Sequence, residues 1–530
     1  MPDENRDDVD ANALDEGTGG SGRDPRWTWG LRALGLVAAG LVWLLLGGSE
    51  NLSPEARAVA AITTLMAIWW MTEAIPLAAT SLLPIVLLPA FAGQPVSDAT
   101  APYASTLVFL FLGGFLIAIA MQKWGLHRRI ALQTLSKVGV EPKRIVLGMM
   151  LSTGFLSMWV SNTATTLMML PIGLSILTLV VERSRATSQT GDVGEDLHAG
   201  ERISDVIEDP NIRAFGVCLV LAIAWSASMG GLGTLLGSPP NAIVAGYLAD
   251  EIGRDISFVN WMMLGVPLAF TFILIGWVLM TRLLYTFDLD EIPGGRDMID
   301  GQIAELGEMS QGEKMVLAVF AGAAFFWIVP GLAADITGIE ALGVLDDTAI
   351  AIAAGLALFL LPGDGAGRMV LDWPDAEDGL PWGVLLLFGG GLSLASAVAA
   401  TGLDVWFGEQ VSGLSALPTI LILASVVALV IFLTEVTSNT ATAATFIPVL
   451  GGVATGIGID AVSLLIPAAL AATCAFMLPV GTPPNAIVFG SGAVTIGQMA
   501  RGGAVLNVVG IVLITLFAYT LGRLALGLTF

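Results

Sequence analysis

Long runs of apolar residues, separated by short polar segments, follow one another along the chain from Leu31 to Phe530. A helix of about 18 or more apolar residues has the length that crosses roughly 30 Å of hydrocarbon. On this basis the sequence predicts spans at 30–47, 55–72, 76–91, 105–122, 214–246, 259–284, 312–331, 348–362, 382–400, 462–490 and 505–527. The pattern therefore predicts an all-α polytopic membrane protein with about 11 transmembrane helices.

Two further apolar runs, 145–181 and 417–450, are too long for one span, and a polar cluster interrupts each in the middle. The clusters read Ser-Asn-Thr-Ala-Thr-Thr at 161–166 and Ser-Asn-Thr-Ala-Thr-Ala at 438–443. Irregular backbone at membrane depth is tolerated only where it is buried in protein or lines a watery cavity. Each run is therefore predicted to be a re-entrant hairpin, which enters and leaves the membrane on the same side.

The two polar clusters belong to an internal repeat, because they lie 277 positions apart and other matching residues upstream share that offset. A second pair of blocks, Gly-Ser-Pro-Pro-Asn-Ala-Ile-Val at 237–244 and Gly-Thr-Pro-Pro-Asn-Ala-Ile-Val at 481–488, lies 244 positions apart. A polar insert at 182–213, which the second half lacks, accounts for the difference. Five crossings and one hairpin in each half would turn the second half upside down, so an inverted repeat is predicted.

The repeat divides the chain into predicted regions. Residues 1–26 form an acidic tail without an apolar h-region, so this tail is predicted to be disordered and neither a signal peptide nor a span. The other regions are a first transmembrane helix at 27–50; a first repeat at 51–286 with the hairpin 145–181, the insert 182–213 and an unwound helix at 237–241; an acidic cytoplasmic linker at 287–311; and a second repeat at 312–530 with the hairpin 417–450 and an unwound helix at 481–485.

Composition agrees with a lipid environment, because 55% of the residues are hydrophobic, 13% are charged and the mean hydropathy is +0.81. The formal net charge of -23 must reside in the tail and loops, since an unpaired ion in hydrocarbon costs several kcal/mol. The lysines are confined to Lys123, Lys137, Lys143 and Lys314. An acidic, lysine-poor exposed surface suggests a halophilic host with a salt-rich cytoplasm, and an ordinary acidic tail and loops are the alternative.

The basic residues gather in alternate loops, as the positive-inside rule requires of cytoplasmic loops. One group precedes the first hairpin and a second group follows it, whereas the predicted outer loops hold little beyond Arg57 and Arg254. The two cytoplasmic groups are Lys123, Arg128, Arg129, Lys137, Lys143 and Arg144, and Arg183, Arg185, Arg202 and Arg213. The sequence therefore predicts a multi-pass plasma-membrane protein with a cytoplasmic N-terminus, an extracellular C-terminus and a second hairpin that opens outward.

The hairpin and Pro-Pro-Asn motifs lie in the stretches 145–182, 214–253 and 369–500, which contain no Lys, Arg or His. These motifs offer hydroxyls, amides and backbone interrupted by paired prolines. A broken helix exposes carbonyls at one end and N–H groups at the other, so it can ligate a cation and face an anion. Such ligands suit a hard ion, whereas Ca²⁺ favours more carboxylates and zinc favours His or Cys. Na⁺ is therefore predicted, and bound Na⁺ rather than arginine would neutralise an anion.

The alternative for these motifs is structural, because small polar residues pack helices closely in membranes and a proline pair can simply kink a span. The repetition of matched blocks in both halves favours the functional interpretation. Glu73 falls at a predicted cytoplasmic turn, where capping is favoured over proton relay, and Glu435 is predicted to brace the second hairpin or tune a cation site. The two histidines lie in polar loops and the two cysteines in apolar runs, where solvation and packing are expected.

The sequence resembles the divalent anion:sodium symporter family, the INDY-like transporters, from about Trp43 to Phe530. The resemblance is carried by the two Ser-Asn-Thr clusters, by Thr-Glu-Ala-Ile-Pro at 72–76 and by Phe-Met-Leu-Pro-Val-Gly-Thr-Pro-Pro-Asn at 476–485. It implies a homodimer whose transport domains move as elevators past a fixed scaffold. Thr473 departs from the family signature, which usually has Ser there, but the hydroxyl is kept.

The resemblance also implies the residues of the site, carried over position by position. A first sodium would be held by Ser157, Ser161, Asn162 and Gly237, and a second by Thr434, Thr437, Asn439 and Gly481. Substrate carboxylates would be bound by Asn162, Thr163, Asn439 and Thr440, with Ser238 and Thr482 close by.

The function expected from these observations is sodium-coupled symport of small divalent anions, with C4-dicarboxylates (succinate, malate, fumarate) favoured. Na⁺ is the expected co-transported ion, and no organic cofactor, enzyme activity or nucleic-acid partner is expected, because no Walker A sequence, His-Glu-x-x-His motif or catalytic triad is found. The alternatives are a sodium-independent exchanger, a proton-coupled carrier using Glu435, and a sulfate or tricarboxylate carrier. An anion channel and a membrane subunit of a sodium-pumping decarboxylase are alternatives from other classes.

Overall fold

The computed structural model describes residues 25–49, 51–139, 141–184, 203, 207–289, 295–337, 346–411, 413 and 417–530. The predictions for nearly all of the tail, for most of the insert at 182–213 and for part of the linker at 287–311 concern residues outside this set. Helix follows helix throughout the described residues, where β structure is limited to one isolated bridge between Pro362 and Met369. The predicted all-α polytopic class is confirmed.

The helices of the first half begin and end at capping residues, prolines and glycines. They are α1 Pro25–Leu45, α2 Pro54–Thr72, α3 Leu77–Thr80, α4 Leu83–Phe91, α5 Val96–Thr100, α6 Thr106–Lys123, α7 Leu126–Val138, α8 Pro142–Ser157, α9 Asn162–Ser184, α10 Pro210–Gly231, α11 Pro239–Asp250 and α12 Phe258–Leu279. Short 3₁₀ segments lie at Leu46–Gly48, Ala101–Ala104 and Leu235–Gly237, and a π segment lies at Met280–Leu284.

The second half repeats this series after the linker. Its helices are α13 Gly295–Glu305, α14 Gln311–Thr337, α15 Asp347–Leu360, α16 Trp373–Gly379, α17 Trp382–Ala400, α18 Leu403–Val411, α19 Thr419–Thr434, α20 Asn439–Ile457, α21 Ala461–Ala472, α22 Pro483–Gly490, α23 Ile496–Phe517 and α24 Arg523–Ala525. A π segment at Ala518–Gly522 joins the last two. The predicted linker contains α13, a helix that the apolar pattern did not indicate.

Nine helices in the described part of the chain are long and apolar enough to cross a membrane; seven of them coincide with predicted spans, and two, Asn162–Val181 and Asn439–Ile457, are second arms of the predicted hairpins. Four predicted spans lack such a helix, and two of these four are interrupted. The run 76–91 is divided into α3 and α4, and the run 462–490 into α21 and α22, so these helices are too short to count. Prolines cause part of this, since Pro84 and Pro483 stand in the first turns of the following helices.

Each half contains one broken helix. The first broken helix comprises α10, the irregular segment 232–238 and α11, and the second comprises α21, the segment 473–482 and α22. Of the predicted unwound stretches 237–241 and 481–485, only residues 237–238 and 481–482 lie in the observed breaks, and residues 239–241 and 483–485 are helical. Pro239 and Pro483 begin the second arms, because proline lacks an N–H that the first helical turn would leave unbonded.

Each half also contains one helical hairpin. The first hairpin is α8, the turn 158–161 and α9, and the second hairpin is α19, the turn 435–438 and α20. Ser161 and Ser438 initiate the second arms, since their hydroxyls accept hydrogen bonds from the N–H groups of Ala164 at 3.2 Å and Ala441 at 3.3 Å. The predicted re-entrant course of the hairpins stays a prediction.

The two halves interlock through the second arms of their broken helices. Helix α11 of the first half packs against α20 and α21 of the second, and α22 of the second half packs against α9 and α10 of the first. Glycines allow close approach within each half, because a Cβ on Gly230 would overlap the backbone of Gly154 in the first hairpin. The hairpin turns and the breaks of both halves therefore lie in one central region.

Among the described residues, the buried charged side chains are Arg129, Glu313 and Glu435. Arg129 of α7 pairs with Glu313 of α14 at 2.7 Å and donates to the carbonyls of Leu306 and Gly307. This ion pair fixes α7 against the end of the linker. Glu435 lies instead at the turn of the second hairpin, beside the region where the two halves meet.

Candidate functional site

A first cluster of oxygen atoms forms where the first hairpin meets the first broken helix. The inner terminal atom of the Asn162 amide lies 2.6 Å from Ser157 Oγ, 3.0 Å from the Ala227 carbonyl oxygen and 3.2 Å from the Gly237 carbonyl oxygen. Asn162 is the first residue of α9 and Ser157 the last of α8, so the hairpin turn brings these side chains together. We call these four groups the first oxygen cluster.

A second oxygen cluster has the same construction in the second half. The inner terminal atom of the Asn439 amide lies 2.8 Å from Thr434 Oγ1 and 3.0 Å from each of the carbonyl oxygens of Ala472 and Gly481. Thr434 Oγ1 also lies 2.9 Å from the Ala472 oxygen. Asn439 begins α20 and Thr434 ends α19, so the asparagine, the hydroxyl and the glycine carbonyl occupy equivalent positions in the two clusters, whereas the alanine carbonyls are one position out of register.

Hydrogen counting shows what these clusters can bind. With the amide oxygen turned inward, the second cluster consists of four oxygens that share the single hydroxyl hydrogen of Thr434. Such an arrangement is repulsive unless a cation lies among the oxygens. With the amide NH₂ turned inward, its two hydrogens satisfy the carbonyls of Ala472 and Gly481. The cluster therefore suits a hard cation with oxygen ligands, and rotation of the amide satisfies the same oxygens without one.

Glycine is required at several positions of the clusters because of close contacts. A Cβ on Gly237 would approach the Gly231 carbonyl oxygen to 2.6 Å, and one on Gly231 would approach the Asn162 Oδ1 to 2.6 Å. A Cβ on Gly481 would approach the Thr434 carbonyl oxygen to 2.7 Å. No side chain other than hydrogen fits these distances, so the glycines let backbone carbonyls reach the cation position.

The asparagines of the two Pro-Pro-Asn motifs stabilise the breaks, a role that sequence analysis did not assign. Asn241 Nδ2 donates to the carbonyls of Gly231 and Thr234, both at 2.8 Å. Asn485 Nδ2 donates to the carbonyls of Ala475 at 3.1 Å and Leu478 at 3.0 Å. Each asparagine thus satisfies carbonyls that lost their helical partners, and the repetition of Pro-Pro-Asn was the signal for this role.

An anion in the central region would face helix N-termini and not basic side chains. Helices α9, α11, α20 and α22 begin at residues 162, 239, 439 and 483, next to the two clusters. A helix N-terminus carries a partial positive charge and unbonded N–H groups, which bind carboxylates and other oxyanions. Of the described residues, the only buried base is Arg129, which pairs with Glu313 of α14.

A direct contact joins the two halves of the site. Ser238 Oγ and Thr473 Oγ1 lie 2.9 Å apart, and both side chains are buried. Thr482, the counterpart of Ser238, is also buried, but its hydroxyl has no hydrogen-bond partner among the described residues. A buried unpaired hydroxyl is unfavourable, so the Thr482 hydroxyl is suited to bind a ligand.

A cavity of about 60 Å³ opens beside the first hairpin turn. Ser161, Thr163 and the Gly237 region contribute polar atoms, and Phe111 and Phe115 of α6 form an apolar wall. Residues 379–384 of the second half complete the lining, which contains no Lys or Arg among the described residues. The cavity adjoins the first hairpin turn, whereas Asn439, Thr440 and Thr482 lie outside its lining.

The structure distributes the residues predicted for sodium as follows. Ser157, Asn162 and Gly237 lie in the first oxygen cluster, and Thr434, Asn439 and Gly481 lie in the second. The hydroxyl of Ser161 caps α9, and that of Thr437 lies 3.0 Å from the Leu433 carbonyl and 2.5 Å from Thr442 Oγ1. The carbonyls of Ala227 and Ala472 were missed, because backbone ligands leave no side-chain signal in a sequence.

The residues predicted for the substrate lie around these clusters. Asn162, Thr163, Asn439 and Thr440 occupy the first two positions of α9 and α20, and all four are largely buried. Ser238 and Thr482 are the cap residues that precede α11 and α22. The predicted positions therefore surround the four helix N-termini, although no substrate assignment follows from position alone.

The fold and the site define a polytopic α-helical membrane protein with paired hairpins and broken helices around a centre whose described residues include no arginine. The family model described as "Sodium:sulfate symporter transmembrane region" matches residues 28–528, so the chain belongs to this family. The family expected from the sequence resemblance is thus confirmed.

Relatives and solved structures agree with this family. The chain is 41% identical over 500 residues to the sodium-dependent dicarboxylate transporter SdcS of Staphylococcus saprophyticus, covering 93% of this chain and 92% of the relative. It is also 41% identical over 501 residues to SdcS of Staphylococcus aureus strain RF122, with the same coverage. The YdaH transporter of Alcanivorax borkumensis has a similar fold, with a TM-score of 0.51 at 13% identity over 88% of this chain and 98% of that one.

Proposed function

We propose that this protein is a sodium-coupled symporter of small dianions, with C4-dicarboxylates such as succinate, malate and fumarate as its substrates. The observation that carries the proposal is the pair of matching oxygen clusters, each sharing an asparagine with a helix N-terminus. The sodium-dependent dicarboxylate transporters that are 41% identical to the chain support the same substrate class. The protein is then a carrier and not an enzyme, and it needs no organic cofactor.

The shared asparagines provide a physical route for coupling. When Na⁺ occupies a cluster, the amide oxygen of Asn162 or Asn439 turns towards it, and the amide NH₂ turns away towards the helix N-terminus. There the NH₂ can donate to a substrate carboxylate, whereas the reversed amide would present an oxygen and repel it. Two bound Na⁺ would also balance the charge of a dianion in a region of low dielectric constant. Each ligand therefore raises the affinity for the other, as reciprocal linkage requires.

The remaining organisation follows from the same proposal. The N-terminus would be cytoplasmic and the C-terminus extracellular in the plasma membrane, with repeats at 51–286 and 312–530 inverted relative to each other. The distribution of Lys and Arg supports this orientation. A homodimer in lipid, with transport domains that move as elevators, is part of the proposal. The glycine contacts within the first half are consistent with a transport domain that moves as one body.

Sulfate is the second candidate substrate, because the family model is described as a sodium:sulfate symporter region. A tetrahedral oxyanion can also bind helix N-termini, so the architecture alone does not exclude it. Two carboxylates separated by a short carbon chain could, in contrast, contact both Ser-Asn-Thr turns at once. Competition between the two anions discriminates between these candidates.

The direct test is uptake into liposomes that contain the purified full-length protein. With an inward Na⁺ gradient, labelled succinate should accumulate, and excess malate or fumarate should compete more strongly than sulfate or citrate. Replacing Na⁺ by K⁺ or choline serves as the control and should abolish accumulation. Undiminished uptake without Na⁺, or non-saturating current as expected of a channel, would contradict the proposal.

A further inference from the structure

Glu435 is a buried acid whose function the two oxygen clusters leave unassigned. Its side chain is 3% exposed, and it follows Thr434 of the second oxygen cluster directly. Of the three buried charged residues in the described chain, Arg129 and Glu313 neutralise each other, but Glu435 forms no ion pair there. A buried negative charge without a basic partner is costly unless other groups stabilise it.

Four N–H donors satisfy the Glu435 carboxylate. Oε1 accepts hydrogen bonds from the backbone N–H of Phe476 at 2.7 Å, the backbone N–H of Met477 at 2.9 Å and Asn507 Nδ2 at 2.7 Å. Oε2 accepts from the backbone N–H groups of Met477 at 3.0 Å and Leu478 at 2.9 Å. Both oxygens accept from N–H groups, so the described structure satisfies the carboxylate without a basic side chain.

These hydrogen bonds connect the two segments that build the second oxygen cluster. Glu435 belongs to the turn of the second hairpin, and residues 476–478 belong to the second break, between the ligand carbonyls of Ala472 and Gly481. The backbone contact is also close, because a Cβ on Gly481 would lie 3.1 Å from Glu435 Cα. The carboxylate therefore fixes the break in the geometry that directs its carbonyls to the cation position.

The first half makes the equivalent connection without charge. Met158 occupies the position of Glu435, and its backbone carbonyl accepts a hydrogen bond from the Thr234 hydroxyl. The N–H groups of Leu232 and Gly233, equivalent to Phe476 and Met477, donate to carbonyls of their own helix. The two clusters thus have the same kinds of oxygen atoms, but only the second lies beside a buried carboxylate among the described residues.

We propose that Glu435 is a positioning residue whose fixed negative charge gives the second oxygen cluster the higher affinity for Na⁺, so that this cluster fills before the first. The attraction between unit charges is strong where water is excluded, so the difference should be roughly tenfold or more in affinity. This proposal rests on the proposed function, since it requires that both clusters bind Na⁺.

The first experiment measures which cluster fills first. Na⁺ binding to the purified full-length protein is titrated with ²²Na⁺ in choline buffer, without any dicarboxylate, for Thr434→Ala and Ser157→Ala. Thr434→Ala should raise the Na⁺ concentration that half-saturates the first ion by roughly tenfold or more, as expected for loss of a ligand at the tighter site. Ser157→Ala should change this half-saturating Na⁺ concentration by less than about twofold. Equal shifts, or a larger shift in Ser157→Ala, overturn the proposal.

The second experiment tests the charge itself. Glu435→Gln keeps the side-chain size and removes the charge, so it should raise the same half-saturating concentration by roughly tenfold or more. The matched variant Met158→Gln in the first half should change it by less than about twofold. A purely structural role for Glu435 would lower the thermal midpoint in Na⁺-free buffer yet leave the order of filling unchanged. If Glu435→Gln does not fold, the comparison of Thr434→Ala with Ser157→Ala decides alone.

The two proposals fail in different ways. If the wild-type protein binds Na⁺ with the predicted order but does not take up succinate, the substrate assignment is wrong and the role of Glu435 stands. If succinate uptake depends on Na⁺ but Glu435→Gln binds the first ion as the wild type does, the role of Glu435 is wrong and the symport proposal stands.

Discussion

The two halves of the chain build matching oxygen clusters but stabilise them by different means. In the first half, the Thr234 hydroxyl connects the break to the hairpin, and hydrogen bonds within the broken helix satisfy the N–H groups of the break. In the second half, the Glu435 carboxylate makes that connection and adds a negative charge. The features common to both halves are an asparagine at the helix N-terminus, a hydroxyl five residues earlier, a glycine carbonyl and a bracing asparagine. These common features place the oxygen ligands around the cation position. The groups that hold each break against its hairpin differ between the halves.

The largest effect is expected from removing the asparagines that both halves share. Asn162→Ala or Asn439→Ala should reduce sodium-driven succinate uptake by about 100-fold or more, since each amide would contact both Na⁺ and a carboxylate. The protein should remain folded, as judged by gel filtration. Asn260→Ala, which alters neither cluster, is the control and should keep wild-type rates. Wild-type uptake in both cluster variants would refute the site assignment.

A large effect on stability should distinguish the charged support from the neutral one. Glu435→Leu leaves three backbone N–H groups and the Asn507 amide buried without an acceptor, so it should cost about 3 kcal/mol or more of unfolding free energy. Met158→Leu at the matching position keeps an apolar side chain and should cost less than about 1.5 kcal/mol. Thermal unfolding in detergent measures both, and equal losses would show that the two supports are equivalent.

A smaller effect is expected where the halves differ in one methyl group. The first half has Gly231 where the second has Ala475. Gly231→Ala would place a Cβ 2.6 Å from the Asn162 Oδ1 and 3.0 Å from the Gly237 oxygen. It should therefore raise the Na⁺ concentration needed for half-maximal uptake by about tenfold, through overpacking of the first cluster. If Gly231→Ala reaches half-maximal uptake at the same Na⁺ concentration as the wild type, the first cluster tolerates an alanine as the second cluster does at Ala475.

The smallest effect should come from the two cap hydroxyls. Thr482→Val removes a hydroxyl that has no partner within the described structure, so the thermal midpoint should be unchanged while the KM for succinate rises about fivefold. Ser238→Ala removes the bond to Thr473 and should lower stability by about 1 kcal/mol. A KM for Thr482→Val equal to that of the wild type would remove this hydroxyl from the substrate site.

Much of the site could be predicted from the sequence because its side chains are repeated. The blocks around Asn162 and Asn439, and around Gly237 and Gly481, indicate the positions of the hairpin turns and the breaks. The bounds of the breaks were less predictable. Paired prolines mark where a helix resumes, and the preceding irregular residues carry no comparable signal. The helices α7, α13 and α18 were not predicted, since they are not apolar enough to stand out.

The role of Glu435 shows a second limit of sequence analysis. Its neighbours indicated an acid near a polar turn, which left bracing, tuning of a cation site and proton transfer as alternatives. The donors that bear on this choice are backbone N–H groups of 476–478 and the Asn507 amide, which lie 41 to 72 positions away along the chain. Only folding brings such groups to a carboxylate.

By itself, the sequence determined the membrane-spanning class and the duplicated plan, because apolar length and repeated motifs are local properties of the chain, and its family resemblance indicated the side chains that enter the two clusters. The tertiary structure decided which carbonyls complete the clusters, which asparagines brace the breaks and which groups stabilise the buried Glu435. Backbone carbonyls and N–H groups are chemically alike at every residue, so only their arrangement in space can select Ala227, Ala472 and the donors to Glu435.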